Sequence, residues 1–386
     1  MMGKRAIITI VNSLSPTSMD FHEFVLYRVK HYPDELNYFM VLGPIDKDIL
    51  ERCNEMIKGY PVYIYDCQGS YSKYLSEIKK VKQQLINENI PALMHVHMGR
   101  SGAAALVCNL FSPKHRVPAL FTVHNTRKWA TWKSELILPI NILTADEVTV
   151  VSNYAFKSVP ICWRWLKKGH ISPLVNGTNV DWIDSVLDQE QQKEFRENIS
   201  KDVFMMVCIC RLSEAKNLPW LIELMAILPD NIQLKIIGDG PLGPRLKKMV
   251  QEKNLEHRVF FTGLIPRNQV FVEMSRADLY VSCSLWEGLP ISVIEAMATR
   301  ANVLLSDIGP HIEIAGFGTS VFLQSLQHDK WKAQIETIAN MPQEQRRQLG
   351  DKNRQIINDN FTLTKMHVGY SKIYENLWQK ALKGKK

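Results

Sequence analysis

No apolar run in this sequence reaches the roughly 18 residues that a membrane-spanning helix needs. The longest candidate, Leu136 to Leu143, is far too short and contains Pro139. Lys4 and Arg5 are followed only by the apolar hexad Ala6–Val11. That hexad reads as a first strand and lacks the longer apolar segment and cleavage site of a signal peptide, so a cytoplasmic location is the expectation. There is no C-x-x-C pair among the seven scattered cysteines. Cys208 and Cys210 lie two apart in an apolar run and are expected to share one strand face as small core residues, a redox or metal role being the alternative. The odd count and loose spacing suit a reducing compartment. No G-x-G-x-x-G follows the first strand, which argues against a nicotinamide dehydrogenase. Zinc-finger spacing, RNA-recognition signatures, low-complexity tracts and solenoid repeats are also missing, so nucleic acid is not an expected partner.

What is present fits two globular domains. The chain has 386 residues, 46% hydrophobic and 22% charged, with a net charge of +8; that length exceeds one ordinary core. The basic excess suits nucleic acid, an anionic membrane surface or a diphosphate substrate without choosing among them. Strand-like runs at Ala6–Val11, Tyr38–Leu42, Val62–Tyr65, Ala92–His97, Ala119–His124 and Glu147–Ser152 alternate with helical stretches such as Tyr71–Asn89 and Arg100–Phe111. After a polar segment, Val180–Ser200, the alternation restarts at Val203–Cys210, Gln233–Ile237, Val259–Thr262, Leu279–Cys283 and Val303–Ser306. This pattern predicts an α/β fold of two doubly wound, Rossmann-like domains facing across a cleft. The expected division is residues 1–185, residues 186–363 and a C-terminal helix, 364–386, that packs back on the first domain. Ligands of such sheets sit beyond the carboxyl ends of the strands.

Three loops at strand ends carry chemistry in the second half. In Arg211-Leu-Ser-Glu-Ala-Lys216-Asn217 two cations stand at a strand end and beside a helix start with Pro219 in its first turn. They read as a diphosphate clamp or as two surface cations. Gly238-Asp239-Gly240-Pro241 lets backbone approach a ligand, but is also an ordinary tight turn. The third, Ser284-Leu-Trp-Glu287-Gly288-Leu289-Pro290-Ile291, precedes a helix containing Glu295. Its two carboxylates can accept hydrogen bonds from sugar or ribose hydroxyls; complementing the helix dipole is the bland alternative. In the first half, His95-Val-His97 and His124 end neighbouring strands. A His-x-His pair can chelate metal, yet no nearby carboxylate completes a site.

The motif Glu287-Gly-Leu-Pro-x4-Glu295-Ala-Met-Ala closely resembles the signature of glycosyltransferase family 4, of the GT-B fold, and Arg211-Leu-Ser-x2-Lys216-Asn resembles its phosphate-binding segment. Gly238–Pro241, Ser306–Glu313, Val151-Ser152 and Val175–Asp181 fall in family order. The resemblance implies a retaining hexosyl transfer from a nucleotide sugar, a UDP-sugar by preference, to a carbohydrate or lipid-linked glycan in surface polysaccharide biosynthesis, with no cofactor or bound metal. It implies Arg211 and Lys216 on the pyrophosphate, Glu295 on the ribose, Glu287 on the donor sugar and amides from Gly288 to Ile291 around it, with Gly238, Leu289 and Pro290 lining the site. His124 would reach the donor sugar and polarise the reacting centre, with His97 on the acceptor side. One departure is the loop Asn12–Ser18, which stands where the family often has paired glycines.

Two segments mix tryptophan with cations, Arg127–Lys133 and Trp163–Lys168. That mixture suits peripheral contact with an anionic membrane, or solvated lysines beside a core helix edge. A GT-B epimerase and a non-catalytic nucleotide-sugar-binding partner subunit are the alternatives to a transferase.

Overall fold

The computed structural model describes residues 4–14, 25–97, 99–124, 132–187 and 203–383. It divides into two compact units, Met1–Val175 with Met366–Lys386, and Asn176–Lys365. Both are parallel-sheet α/β domains of the Rossmann-like kind.

The first unit holds β1 (Arg5–Val11), β2 (Glu35–Val41), β3 (Val62–Asp66), β4 (Ala92–Val96), β5 (Ala119–Val123), β6 (Glu147–Val150) and β7 (Ile171–Pro173). They form one parallel sheet in the order β3-β2-β1-β4-β5-β6-β7. Strands covered on both faces run apolar with little alternation, and Ala6–Val11 is such a run. On one face Ala6, Ile8 and Ile10 pack with Met40, Met94 and Val96. The other face carries a buried polar row, Thr9, Asn37, His95, Thr122 and Thr149.

The C-terminal helix Leu363–Lys383 meets that polar row. Its Tyr374 hydroxyl lies 2.6 Å from His95 Nδ1, and its Tyr370 hydroxyl 3.3 Å from Thr122 Oγ1. The Trp378 indole donates to the Ala6 carbonyl at 3.2 Å. Buried Arg28 donates two bonds to Glu35, at 2.8 and 2.5 Å, and reaches Ser371 Oγ at 3.4 Å. Its guanidinium lies over the rings of Tyr32 and Tyr374 at 4.2 and 4.7 Å.

The second unit holds β8 (Phe204–Ile209), β9 (Ile232–Ile237), β10 (Val259–Gly263), β11 (Leu279–Ser282), β12 (Val303–Ser306) and β13 (Val321–Gln324). Their order is β10-β9-β8-β11-β12-β13, again parallel. Helix Gln343–Asn360 packs on helix Ile291–Ala298. It is fastened by Arg354, which donates to Asp184 at 2.9 and 2.5 Å and to the Ala298 carbonyl at 2.7 Å. No described helix is long and apolar enough to cross a membrane.

Removing one member of a buried ion pair leaves the other charge uncompensated. Glu35→Gln should therefore cost about 3 kcal/mol of stability, read as a lowered urea midpoint. A midpoint unchanged from wild type would show that the Arg28 pair does not hold the C-terminal helix.

Candidate functional site

The strand order of the second sheet reverses between β8 and β11. The loops leaving these strands diverge there, and such a switch point is where open α/β sheets bind ligands. The two loops are tied to each other: the Leu285 N–H donates to the Ala215 carbonyl at 2.8 Å, and the Cys283 thiol to the Lys216 carbonyl at 3.2 Å.

Arg211 follows β8 directly, and its side chain is exposed, with no ion pair among the described residues. Its backbone is held from both sides. Cys210 N–H donates to the Ile237 carbonyl and Leu212 N–H to the Asp239 carbonyl, each at 3.0 Å. This close approach explains Gly238. Its φ is +133°, and a Cβ there would lie 2.0 Å from the Cys210 carbonyl oxygen, so only glycine fits.

Lys216 and Glu287 meet in an ion pair, both largely buried. Burial works against the Lys216 ammonium, but the charge and hydrogen bond of Glu287 outweigh it and hold the pKa above its ordinary value. The same Glu287 oxygen accepts from Ser284 Oγ at 2.8 Å. The Ser284 carbonyl accepts from Ser306 Oγ at 2.6 Å, which ties in the loop after β12. His311 Nδ1 lies 2.8 Å from the Ser306 carbonyl, so the proton sits on Nδ1. His311 is fully buried and its Nε2 has no hydrogen-bond partner among the described residues. Burial pushes its pKa down to about 4, against the smaller opposing effect of Glu287.

Glu295 is buried in helix Ile291–Ala298 and paired with Arg267, which opens the helix after β10. Burial raises the Glu295 pKa and Arg267 counteracts it. The Arg267 guanidinium is also 5.7 Å from the ring centres of both Trp182 and Phe271. Gly288, Leu289 and Pro290 are buried and Ile291 half-buried. Pro290 has no N–H, so the expected row of amides reduces to Gly288, Leu289 and Ile291. The Leu289 and Ile291 N–H groups make no backbone hydrogen bond among the described residues.

The structure thus gathers Arg211, Lys216, Gly238, Glu287 and the Gly288–Ile291 segment on the loops after β8, β9 and β11. It adds three partners that sequence reading missed: Ser284, His311 and Arg267. An arginine opening a helix directly after Pro266, at the carboxyl end of a strand, was the available signal for the last.

In the first unit, His97 Nδ1 lies 3.0 Å from His124 Nε2, and His95 Nε2 lies 2.8 Å from Thr122 Oγ1. His95 and His97 are buried, and burial first, then their histidine neighbours, drives both pKa values well below the usual range. Asn12 Oδ1 accepts from Ser101 Oγ. Of the Asn12–Ser18 loop, residues 15–18 lie outside the described residues, as do 127–131 of the Arg127–Lys133 cluster.

Residues 189–356 match the family model described as Glycosyl transferases group 1, so the second unit carries a domain of that kind. The chain is 25% identical over 279 residues to the putative teichuronic acid biosynthesis glycosyltransferase TuaC of Bacillus subtilis, across 66% of this chain and 65% of that one. It is 28% identical over 145 residues to the UDP-Gal:alpha-D-GlcNAc-diphosphoundecaprenol alpha-1,3-galactosyltransferase of Escherichia coli, across 36% and 37%. The chain spans less than two thirds of either relative's length. The crystal structure of Anabaena Alr3699/HepE in complex with UDP and glucose shares the fold, with a TM-score of 0.76 at 15% identity over 96% of this chain and 100% of that one.

His311 makes a prediction about pH. Its folded pKa, about 4, lies below the ordinary value of 6.5. Between those values the unfolded chain binds the proton and the native one does not, so stability falls as pH drops from about 6.5 to about 4. His311→Asn should remove on the order of 3 kcal/mol of that loss. Wild type and variant are compared by urea unfolding at several pH values; parallel stability curves would rule the effect out.

Proposed function

We propose that this chain is a retaining glycosyltransferase of family 4. It would transfer a hexosyl group from a nucleoside-diphosphate sugar, UDP by preference, to a carbohydrate or lipid-linked glycan in surface polysaccharide biosynthesis. The observation that carries the reading is the grouping of Arg211, Lys216 and Glu287 at the switch point of a glycosyl transferases group 1 domain. The relatives support the kind of substrate: one is named for teichuronic acid biosynthesis, another for a UDP-sugar and a diphosphoundecaprenol acceptor.

The assigned roles follow from charge and reach. Arg211, exposed and without an ion pair among the described residues, takes the diphosphate. Lys216 shares its charge between Glu287 and the phosphate next to the sugar. Glu287 accepts from sugar hydroxyls, and the amides of Leu289 and Ile291 donate to the sugar or its phosphate. Glu295 takes the ribose through its remaining carboxylate lone pairs. In the reaction the acceptor oxygen bonds to the anomeric carbon on the face the diphosphate leaves. The carbon–oxygen bond to phosphate breaks, and the acceptor's proton passes to the departing phosphate oxygen. Cations fixed before the reaction begins stabilise that developing charge. A lipid-linked acceptor would be met at an anionic membrane surface, with the protein peripheral to it.

Calorimetric titration with a panel of nucleotide sugars tests this. One UDP-sugar should bind selectively, about tenfold or more weaker in Arg211→Ala, as loss of a hydrogen bond between charged groups implies. Transfer should fall about a hundredfold, and Glu295→Ala should weaken the nucleotide moiety alone. A folded wild type that binds no nucleotide sugar, or an Arg211→Ala enzyme at full turnover, would overturn the reading. Inversion at the product's anomeric carbon would overturn the retaining mechanism.

A further inference from the structure

Helix Trp132–Thr144 of the first unit is apolar on two sides: Ile142 is fully buried and Leu138 packs on the core. Leu136, Ile140 and Leu143, at i, i+4 and i+7 spacing, lie on one face, and that face is exposed, Leu136 by 64%. The polar Asn141 is instead fully buried, donating to the Gly99 carbonyl at 2.9 Å. Helix Ile161–Leu166 packs against it, with Trp163 against the core. Its i,i+4 pairs Ile161/Trp165 and Cys162/Leu166 are all exposed, Ile161 by 76%, Trp165 by 73% and Leu166 by 59%. Exposed apolar side chains grouped on two packed helices mark something that covers them.

The charge around it selects the cover. From residue 151 to residue 170 the chain has Lys157, Arg164, Lys167 and Lys168 and no acidic residue. Lys157 and Lys168 are exposed. Of the acids just before this stretch, Asp146 pairs with Arg116 and Lys380, and Glu147 accepts a hydrogen bond from His170 Nδ1 at 2.8 Å. A second copy pairing symmetrically through this face would bring exposed Lys157 and Lys168 onto like charges, which is unfavourable. An anionic lipid surface would meet cations and offer acyl chains to the leucines and isoleucine, with Trp165 at the depth tryptophan prefers.

We propose that this two-helix face docks on an anionic lipid bilayer, lying in its interface without crossing it. The proposal deepens the lipid-linked acceptor reading above, but it rests on surface and charge alone. Vesicle binding is measured with no donor or acceptor present, so its failure and the failure of the transferase reading are separate results.

The test is flotation of the full chain with vesicles of phosphatidylglycerol and phosphatidylcholine at low salt, against phosphatidylcholine alone. Wild type should float only with the anionic vesicles and release as salt is raised. Trp165→Ser with Ile161→Ser should weaken binding about tenfold or more through lost apolar transfer. Lys157→Glu with Lys168→Glu should weaken it by at least about fivefold for each lysine. All four side chains are exposed, so melting monitored by circular dichroism should be unchanged and the nucleotide-sugar titration unaffected. Three outcomes would overturn the proposal. Wild type could ignore anionic vesicles. The apolar double variant could bind as well as wild type. Wild type could sediment as a dimer that this variant converts to monomer, which would assign the face to a second copy.

Discussion

A parallel sheet has no wet face, and that constraint governs the first unit. One face of its seven strands is met by helices over an apolar core. The other carries Thr9, Asn37, His95, Thr122 and Thr149; Thr122 bonds Thr149 and His95, and Asn37 donates to the Glu35 carbonyl, but His95 Nδ1 needs a partner that an apolar helix would not bring. Burying a polar group without a hydrogen bond costs more than the bond itself contributes. The cover must therefore bring hydroxyls and rings, and the chain's last helix does so with Tyr370, Tyr374 and Ser371. The return of the C-terminal segment to the first unit is thus a consequence of sheet polarity. The Arg28–Glu35 pair lies under the same helix for the same reason.

Covered faces leave chemistry only the strand ends. In the second unit the reversal between β8 and β11 parts two loops, and an ion pair closes the gap between them. Partly buried pairs are poor devices for stability, because desolvation offsets much of the attraction. Lys216–Glu287 persists because Ser284 supplies a further donor and because the loops are already joined through backbone bonds. An arrangement that costs desolvation yet is supported from three strands fits charge held ready for a ligand better than it fits a fold staple. The Glu295–Arg267 pair follows the same logic one layer deeper, with Trp182 and Phe271 flanking the guanidinium.

Much of the architecture was legible because buried parallel strands write themselves as apolar runs; β1, β8 and β12 are examples. The edges were not. β7, Ile171–Pro173, has a single buried residue and ends in proline, while β13, Val321–Gln324, is half-buried throughout. Neither presents a run to read. Helix Gln343–Asn360 hides its packing in polar residues, since Gly350, Asn353 and Arg354 are buried where leucines would be looked for. At the site, the loop motifs announced Lys216 and Glu287 individually. Their pairing across 71 positions, and the line from His311 through Ser306 to Ser284, depend on which strands are neighbours. Local sequence cannot supply that. Helix Trp132–Thr144 gave a weaker clue, because apolar residues surround it and their spacing does not tell exposed Leu136, Ile140 and Leu143 from buried Ile142.

The histidines of the first unit show how burial can orient a neighbouring ring through a shared hydrogen bond. His95 is enclosed between the Tyr374 and Thr122 hydroxyls, and His97 lies beside it, ring centres 3.9 Å apart. A second positive charge there would be both desolvated and repelled, so both rings stay neutral across the physiological range. A neutral ring holds one proton. The bond between His97 Nδ1 and His124 Nε2 then has a single proton to place. If His97 donates, His124 carries its own proton on Nδ1. If His97 accepts, the His124 proton is on Nε2 and Nδ1 is a base. Were His124 to gain a charge, only the second arrangement survives, with His97 as the acceptor. The tautomers of the two rings are thus coupled, and a change of proton position on His97 would require a matching one on His124.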